Sequence, residues 1–415
     1  MEFRPLSPKT VEETGLKASF LMDLTLKLIY ARGRITGKDV SLELKLPACV
    51  TLEALEGLKK LKLVESAGSS HPIHCIFEIL DRGREKVREI FERDEYIGPA
   101  PVCLAQYNDI MKKHVKEFTR VSPEEVRKAF SDLVIPESII EEIGPAINSR
   151  GSMFLFGPPG NGKTSIAERI SRIINNQVLL PYAIEIDNQV IKLFDPAYHK
   201  VLETGEPSLT FDNRWLLCVP PAVVVGGELT LKELDLIWNP TSKFYEAPIH
   251  LKANGGMFLI DDFGRQIVRP RDLLNRWIYP LEKNSDYLTL HTGKKIEVPF
   301  IQLIVFSTNL DPSELVDEAF LRRLQNKINV VDPSPQQYKD IFRLNCNNMK
   351  VPFDEPMVDL FMEKYMKAEG RPFRSCQPRD ILKIIRAKCL FDGKEFQLNE
   401  DVFKYACKQY YVKLK

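Results

Sequence analysis

A glycine-rich segment between a predicted strand and a predicted helix constrains the fold of this chain more than any other feature. Residues 153–156, MFLF, are typical of a short buried strand, and SIAERISRII after position 164 is typical of a helix. The segment between them matches the complete GxxxxGK[ST] pattern and consists of Gly157, Pro158, Pro159, Gly160, Asn161, Gly162, Lys163 and Thr164. This pattern in this context predicts an α/β domain with a P-loop at the end of a strand.

The P-loop residues have the chemistry needed to bind the phosphates of a nucleotide. Glycines let backbone N–H groups curve around phosphate oxygens without a Cβ clash, and the N-terminus of the next helix adds partial positive charge. Lys163 is expected to reach the β- and γ-phosphates, and Thr164 is expected to offer its hydroxyl to Mg²⁺. We assign Ser165, the next residue, to the same phosphate site.

A second motif at a strand end indicates hydrolysis rather than phosphate binding alone. Residues 257–260, MFLI, are typical of a buried strand, and Asp261 and Asp262 follow them directly. Asp261 fits the Mg²⁺ and water ligand of a Walker B strand. Asp262 is predicted to polarise the water that attacks the γ-phosphate, because a carboxylate can act as a general base.

A third predicted strand, residues 303–306, ends in polar residues. A polar side chain at its tip can orient the water between the two carboxylates and the γ-phosphate. We choose Asn309 for this role, with Thr308 as the alternative. Further along, DEAFLRRL places Arg322 and Arg323 at a predicted helix end, where either can neutralise transition-state charge on a nucleotide held by a neighbouring subunit. The alternative is a pair of solvated surface arginines.

These motifs, in this order and spacing, resemble the AAA+ ATPases. The resemblance spans residues 121–332 and implies hydrolysis of ATP to ADP and phosphate, with ATP and Mg²⁺ as cofactors. It also implies a ring of copies of this chain, with a hexamer expected, because Arg322 and Arg323 would act across subunits. One position departs from the family. Most hydrolysing members carry Glu where this chain has Asp262, and the shorter side chain puts its reach in question.

The C-terminal part resembles the helical lid domain of the same family. Residues 333–415 are rich in predicted helix, and Gln377-Pro378-Arg379-Asp380 opens a helix in ILKIIRAK. Arg379 resembles the second-sensor arginine, which contacts the nucleotide when the lid closes. An exposed arginine at a helix start is the alternative interpretation.

The apolar residues Leu133, Val134 and Ile135, which precede the P-loop strand, allow two interpretations. They are expected either to form a wall against the adenine or to belong to the ordinary core.

A predicted hairpin narrows the resemblance within the family. YLTL at 287–290 and KIEV at 295–298 bracket HTGK, which predicts two strands and a turn. A hairpin here resembles the pre-sensor insertion of MoxR-like, MCM-type and enhancer-binding AAA+ proteins. The enhancer-binding proteins carry a GAFTGA loop that this chain lacks, so sigma-factor remodelling is not supported. As a whole, the chain resembles an uncharacterised bacterial family with an N-terminal winged helix and an IDDFGRQ segment.

Residues 1–96 are predicted to form a winged-helix domain. Apolar periodicity predicts helices at 18–31, 37–46 and 49–64, followed by a strand in HCIFEIL and a charged helix in DRGREKVREIFERDEY. YIGPAPV, with two prolines and a glycine, predicts a linker, and we therefore assign residues 97–120 to a linker and helix.

The charge pattern of this domain does not favour DNA as its partner. The third helix carries Glu53 and Glu56 near its start, where a DNA reader needs basic or amide side chains. Basic and acidic side chains are also equal in number over residues 1–98. DNA binding stays possible, but contacts with a protein or with neighbouring subunits are the preferred interpretation.

Composition restricts the setting of the whole chain. With 58 Lys+Arg and 57 Asp+Glu, the chain is neither a polybasic nucleic-acid scaffold nor an acidic disordered protein. No apolar run reaches the roughly 18 residues of a membrane span, and the eight cysteines form no CxxC pair. We therefore expect a cytoplasmic setting, and the AAA+ resemblance implies an ATPase that remodels an unknown protein partner. An ATP-switched DNA-binding regulator and a binding-only nucleotide switch stay open as alternatives.

Overall fold

A computed structural model describes residues 4–68, 71–116, 120–174, 176–202, 210–315, 322 and 324–411. The chain divides into two compact units, each assembled from several stretches of sequence. The first unit comprises Met1–Thr119, Ile174–Phe258 and Asp272–Leu303, and the second comprises Arg120–Ile173, Leu259–Arg271 and Ile304–Lys415. Within the described ranges, no helix has the length and apolar character needed to cross a membrane.

The α-helices of the described residues are, in chain order, α1 (Ala18–Arg32), α2 (Gly37–Leu44), α3 (Ala48–Lys60), α4 (Asp81–Phe91), α5 (Leu104–Lys116), α6 (Pro123–Ala129), α7 (Glu137–Ser149), α8 (Lys163–Ile173), α9 (Ile249–Lys252), α10 (Pro270–Lys283), α11 (Pro312–Leu315), α12 (Pro335–Met349), α13 (Glu355–Phe361), α14 (Gln377–Phe391) and α15 (Glu400–Tyr410).

The β-strands of the described residues are β1 (Arg34–Thr36), β2 (Val64–Ala67), β3 (Ile76–Ile79), β4 (Val102–Cys103), β5 (Met153–Phe156), β6 (Val178–Pro181), β7 (Ala183–Ile186), β8 (Gln189–Lys192), β9 (Trp215–Cys218), β10 (Ala222–Val225), β11 (Ile237–Asn239), β12 (Phe244–Glu246), β13 (Met257–Ile260), β14 (Ser285–Thr289), β15 (Lys295–Pro299), β16 (Leu303–Thr308) and β17 (Asn326–Asn329).

Several helix starts follow directly from local sequence. Thr36 caps α2 by accepting a hydrogen bond from the Asp39 N–H, a role for which threonine is suited. Ser122 and Glu125 form a reciprocal capping box at the start of α6. Such caps satisfy N–H groups that have no partner within the helix.

In the first unit, helices α1 to α4 surround a small antiparallel sheet in the order β1-β3-β2. Leu21, Leu24 and Leu28, which helical spacing puts on one face of α1, are each at most 1% exposed. Their burial together provides the apolar stripe that an amphipathic helix needs to pack against a core. The assignment of residues 1–96 to a winged-helix domain stays a prediction.

A second sheet of the first unit has the order β11-β12-β8-β7-β4. Its edge strand β4 pairs in parallel with β7, with Val102 opposite Ile184 and Cys103 opposite Glu185. This strand and α5 lie within residues 97–120, which were predicted as linker and helix, so part of that stretch contributes to a sheet.

Arg214 ties this sheet region to earlier parts of the chain. Its side chain is 1% exposed and forms a two-bond ion pair with Asp212, whose nearest oxygen lies 2.8 Å from the guanidinium. The same guanidinium donates to the carbonyl oxygens of Thr14, at 2.8 Å, and Pro101, at 3.1 Å. A buried charge is tolerated only when it is paired and hydrogen-bonded, so these contacts must form together.

The predicted hairpin is confirmed, because β14 and β15 pair antiparallel over their full length. Gly293, with φ of 84°, lies in the turn between them. His291 in the same turn stacks on the Trp238 ring with centroids 4.2 Å apart. The backbone N–H of His291 donates to the Tyr245 hydroxyl at 2.9 Å. These contacts anchor the hairpin turn to the sheet that contains β11 and β12.

In the second unit, four strands follow one another in a sheet in the order β13-β16-β5-β17. Strands β16 and β17 both pair in parallel with β5, so their carboxyl ends lie at the same edge. Strand β13 is fully buried, as expected for a strand covered on both faces. The predicted α/β class, with a P-loop following a strand of a parallel sheet, is confirmed.

The C-terminal helices α12 to α15 have an apolar core of their own. Phe361 and Phe403 stack at its centre with ring centroids 4.8 Å apart, and Phe342 packs edge-on against Phe361. A cluster of this kind supports a helical subdomain, because aromatic side chains bury large apolar areas.

Candidate active site

The P-loop has a backbone that requires its glycines. Gly157, Gly160 and Gly162 have φ angles of 138°, 83° and 82°, which residues with a Cβ rarely adopt. A Cβ on Gly157 would lie 2.4 Å from the carbonyl oxygen of Val330. A Cβ on Gly160 would lie 2.6 Å from the sulfur of Cys376. The loop therefore combines a special conformation with close contacts, and only glycine satisfies both.

Lys163 points back into the P-loop. Its side chain is 6% exposed, and its ammonium donates to the carbonyl oxygens of Gly157 and Pro158 at 2.9 Å each. Burial lowers the pKa of Lys163, while the charges of Asp261 and Asp262 act in the opposite direction. The ammonium is thus held where a phosphate oxygen would compete for its protons.

Asp261 and Thr164 are hydrogen-bonded to each other beside the P-loop. The Thr164 hydroxyl donates to one oxygen of Asp261 at 2.7 Å, and the N–H of Asp262 donates to the other at 3.0 Å. Hydroxyl and carboxylate oxygens beside a phosphate site are the protein ligands that Mg²⁺ prefers. Among the described residues, no group of three or more His, Cys, Asp or Glu gathers around a point.

Asp262 and Asn309 meet beside that pair. The Asn309 side-chain amide donates to one carboxylate oxygen of Asp262 at 3.0 Å. Thr308, the alternative for the water-orienting role, is fully buried and donates to the carbonyl oxygen of Phe263 at 2.6 Å. Of the two candidates, the geometry therefore favours Asn309, which faces the exposed carboxylate.

A cleft of about 560 Å³ extends from these residues. Leu133, Val134 and Ile135 line it and are all partly exposed. Of the two interpretations of this apolar segment, the wall of a cleft fits better than ordinary core. Asn345 of α12 and Ser165 of α8 line the same cleft.

The predicted arginines differ in their placement. Arg379 lines the cleft from α14, with a half-exposed side chain whose Nε donates to Asp380 at 3.0 Å. Arg322 lies in an exposed turn and is not among the residues that line the cleft. Arg323 lies outside the described residues.

Sequence reasoning missed a polar chain that joins the P-loop to the C-terminal helices. The Asn161 amide donates to Asp332 at 2.7 Å, and Arg374 forms an ion pair with the same carboxylate. The N–H of Cys376 donates to the carbonyl oxygen of Gly160 at 2.8 Å. Asn161 and Asp332 are 171 residues apart in sequence, so no local spacing could have indicated this contact.

Three comparisons with known proteins bear on this site. A family described as a domain of unknown function, DUF8689, matches residues 334–409. Over 105 residues the chain is 31% identical to the vesicular-fusion protein sec18 of Schizosaccharomyces pombe, covering 22% of this chain and 13% of that protein. Over 114 residues it is 34% identical to the vesicle-fusing ATPase of Caenorhabditis elegans, covering 24% of this chain and 14% of that protein. The chain thus spans only 13–14% of these curated relatives.

Solved structures with a similar arrangement include domain III of the replication initiation protein DnaA from Thermotoga maritima. Its TM-score is 0.41 at 14% identity, covering 70% of this chain and 99% of that chain. The Holliday junction branch migration motor RuvB from the same organism gives 0.39 at 14% identity, covering 66% of this chain and 68% of that chain. The partial sequence matches to vesicle-fusing ATPases support the AAA+ ATPase resemblance.

Proposed function

We propose that this protein is a Mg²⁺-dependent ATPase of the AAA+ type that uses ATP to change the conformation of a protein partner. One observation carries the proposal. Two adjacent carboxylates face the P-loop, and each is held by a polar side chain from another element, Asp261 by Thr164 and Asp262 by Asn309. A site that only bound phosphate would have no need of two oriented carboxylates.

Each residue has a role in the proposed reaction. The P-loop N–H groups and Lys163 bind the phosphate oxygens and stabilise the charge that develops on them. Asp262 and Asn309 orient a water molecule, whose oxygen bonds to the γ-phosphorus as the bond to the bridging oxygen breaks. The products are ADP and phosphate, and Asp262 polarises the attacking water.

Thr164 and Asp261 would hold Mg²⁺, which supplies positive charge to the β- and γ-phosphates when bound. The chain's own contribution is to keep these two oxygens together, which the 2.7 Å hydrogen bond between them does. Asp261 is in turn fixed by the N–H of Asp262. The ion site and the water site therefore share one short turn.

The remaining roles extend beyond a single chain. Arg322 or Arg323 would reach the γ-phosphate held by a neighbouring copy in a ring, with a hexamer expected from the family resemblance. Arg379 would contact the nucleotide from the lid, residues 333–415. Residues 1–96 would act as a winged-helix domain that contacts protein, in a cytoplasmic setting.

The test compares wild-type protein with Asp262→Asn and with Asp340→Asn, the same chemical change on α12 at a residue that does not line the cleft. Asp262→Asn should bind MgATP with wild-type affinity and lose hydrolysis, because an amide cannot act as a base. Asp340→Asn should match the wild type in both. MgATP binding is measured by isothermal titration and hydrolysis by phosphate release. Wild-type turnover in Asp262→Asn would refute the proposed role.

A further inference from the structure

A buried glutamine fixes the turn that carries both carboxylates. Gln266 is 9% exposed. Its side-chain oxygen accepts a hydrogen bond from the N–H of Gly264 at 2.8 Å, and its side-chain nitrogen donates to the carbonyl oxygens of Asp261 at 3.1 Å and Asp262 at 3.3 Å. Three backbone groups of one short turn are thus satisfied by a single side chain.

The backbone of this turn is unfavourable without such support. Asp262 has φ of 49°, in the left-handed region that residues with a Cβ rarely adopt. Gly264 has φ of 102°, and a Cβ there would lie 2.6 Å from a methyl group of Leu315. The turn is therefore held in place by its surroundings rather than by local preference.

The opposite side of the turn is fixed by strand β16. The N–H of Phe263 donates to the carbonyl oxygen of Ser307 at 2.7 Å, and the Thr308 hydroxyl donates to the carbonyl oxygen of Phe263 at 2.6 Å. Phe263 itself is fully buried against Phe306. With β16 on one side and Gln266 on the other, the Cβ direction of Asp262 has little freedom.

We infer that Gln266 is a positioning residue: it holds the turn 261–264 so that Asp261 and Asp262 face the P-loop. This inference rests on the proposed function for its effect on catalysis. Gln266 is not among the residues that line the cleft, so its influence passes through the backbone of the turn. A displaced catalytic carboxylate lowers the rate while nucleotide binding by the P-loop is retained.

Two substitutions separate hydrogen bonding from shape. Gln266→Met has a similar volume and forms none of the three hydrogen bonds. Gln266→Glu keeps the shape more closely but, when ionised, places negative charge against two carbonyl oxygens. If Gln266 acts through its hydrogen bonds, ATP hydrolysis should be fastest in the wild type, slower in Gln266→Met and slowest in Gln266→Glu. If packing alone matters, Glu should retain more activity than Met.

The matched control is Gln302→Met. Gln302 is also buried, at 6% exposed, and within the described residues its side-chain amide has no hydrogen-bond partner. The same chemical change at this position therefore removes no hydrogen bond. It should leave both nucleotide binding and turnover unchanged.

Two measurements decide the inference. The first is the KM and kcat of ATP hydrolysis, where Gln266→Met should keep KM and lose about tenfold to a hundredfold in kcat. The second does not require turnover: ADP affinity is titrated with and without Mg²⁺. The Mg²⁺ enhancement should shrink in both Gln266 variants, because Asp261 is displaced, while ADP affinity without Mg²⁺ stays at the wild-type value and reports an intact P-loop.

The outcomes are distinct. Loss of the Mg²⁺ enhancement and of kcat, in the order stated, supports the inference. Wild-type values of both in Gln266→Met and Gln266→Glu overturn it. If the wild type binds MgATP without hydrolysing it, the proposed ATPase function fails, and the Mg²⁺ enhancement alone still decides the role of Gln266. If both variants fail to bind ADP without Mg²⁺, Gln266 serves folding, and the positioning role is rejected.

Discussion

The P-loop and the turn 261–264, which we call the carboxylate turn, lie side by side. They maintain unfavourable backbone angles by different means. In the P-loop, Gly157, Gly160 and Gly162 occupy the positive φ positions, so the residue type itself permits the conformation. In the carboxylate turn, Asp262 occupies such a position and depends on hydrogen bonds from other residues. The first conformation is permitted by the residue type itself, whereas the second depends on side-chain hydrogen bonds from Gln266, four residues further on, and from Asn309, 47 residues away. Substitutions should therefore affect the two turns in opposite ways.

The largest effect on ATP hydrolysis is expected from a change that tests whether the two turns of one chain are sufficient for catalysis. Changing Arg322 and Arg323 together to Ala should leave ATP binding near normal and lower hydrolysis by about 10³-fold or more, because a finger from a neighbour is missing. Mixing this variant with Lys163→Ala should restore part of the activity, since some interfaces then pair intact arginines with intact P-loops. Phosphate release measures the activity.

The control for mixing is light scattering and co-purification, which must show mixed assemblies. Assemblies that are mixed but inactive would mean that the two turns act without a neighbour.

A smaller effect, on MgATP affinity, is expected from a substitution in the P-loop itself. Lys163→Ala removes the ammonium that is buried in the loop and should weaken MgATP binding about a hundredfold, equivalent to about 3 kcal/mol. Lys128→Ala, on the exposed surface of α6, is the control and should change nothing. Isothermal titration provides the affinity. An unchanged affinity in Lys163→Ala would show that the backbone N–H groups bind phosphate without the side chain.

The backbone of the turn 261–264 should disfavour glutamate at position 262, the residue expected there from the AAA+ resemblance. Asp262→Glu restores the usual family residue, but Glu tolerates a left-handed backbone less well than Asp, by about 1 kcal/mol. We expect kcat to fall about tenfold with KM unchanged, because the turn loses its geometry. Steady-state kinetics beside Asp340→Glu would test this. A faster Glu variant would mean that reach, and not backbone angle, limits the wild type.

The smallest effects concern stability and compare the turns directly. Gly160→Ala should lower the free energy of unfolding by about 1–3 kcal/mol, through its φ of 83° and the contact with Cys376. Asp262→Gly should change it by less than about 1 kcal/mol, because relief of strain offsets the added chain entropy. Urea unfolding of both variants measures the difference. Equal losses would contradict the contrast between the turns.

The same contrast explains what the sequence could predict. The strand, loop and helix of the P-loop were predictable, because each backbone requirement there coincides with a residue type. Asp261, Asp262 and Asn309 were predictable as polar residues at the carboxyl ends of buried strands. The φ angle of Asp262 was not predictable, because nothing local to an Asp-Asp pair requires it. The role of Gln266, the last residue of IDDFGRQ, was not predictable either, because it depends on which backbone groups its side chain contacts in the folded chain.

The first unit was less predictable for a related reason. The stretch between residues 181 and 248 showed no motif, and YIGPAPV predicted a linker. The structure places β7, β8, β11 and β12 in that stretch and pairs β4 with β7. Pairing between distant strands depends on side chains that meet only in the folded chain, so composition and local periodicity do not reveal it.

The buried guanidinium of Arg214 has a consequence for dissecting the protein. It connects a segment beyond residue 210 to the carbonyl oxygens of Thr14 and Pro101. In the same region, the Lys243 ammonium donates to the carbonyl oxygen of Phe91 at 2.7 Å. A fragment ending near residue 98 would lose these partners and expose apolar surface that Ala183 and Val190 cover. We therefore expect the N-terminal segment to depend on these contacts, and its ligands should be sought with the intact chain.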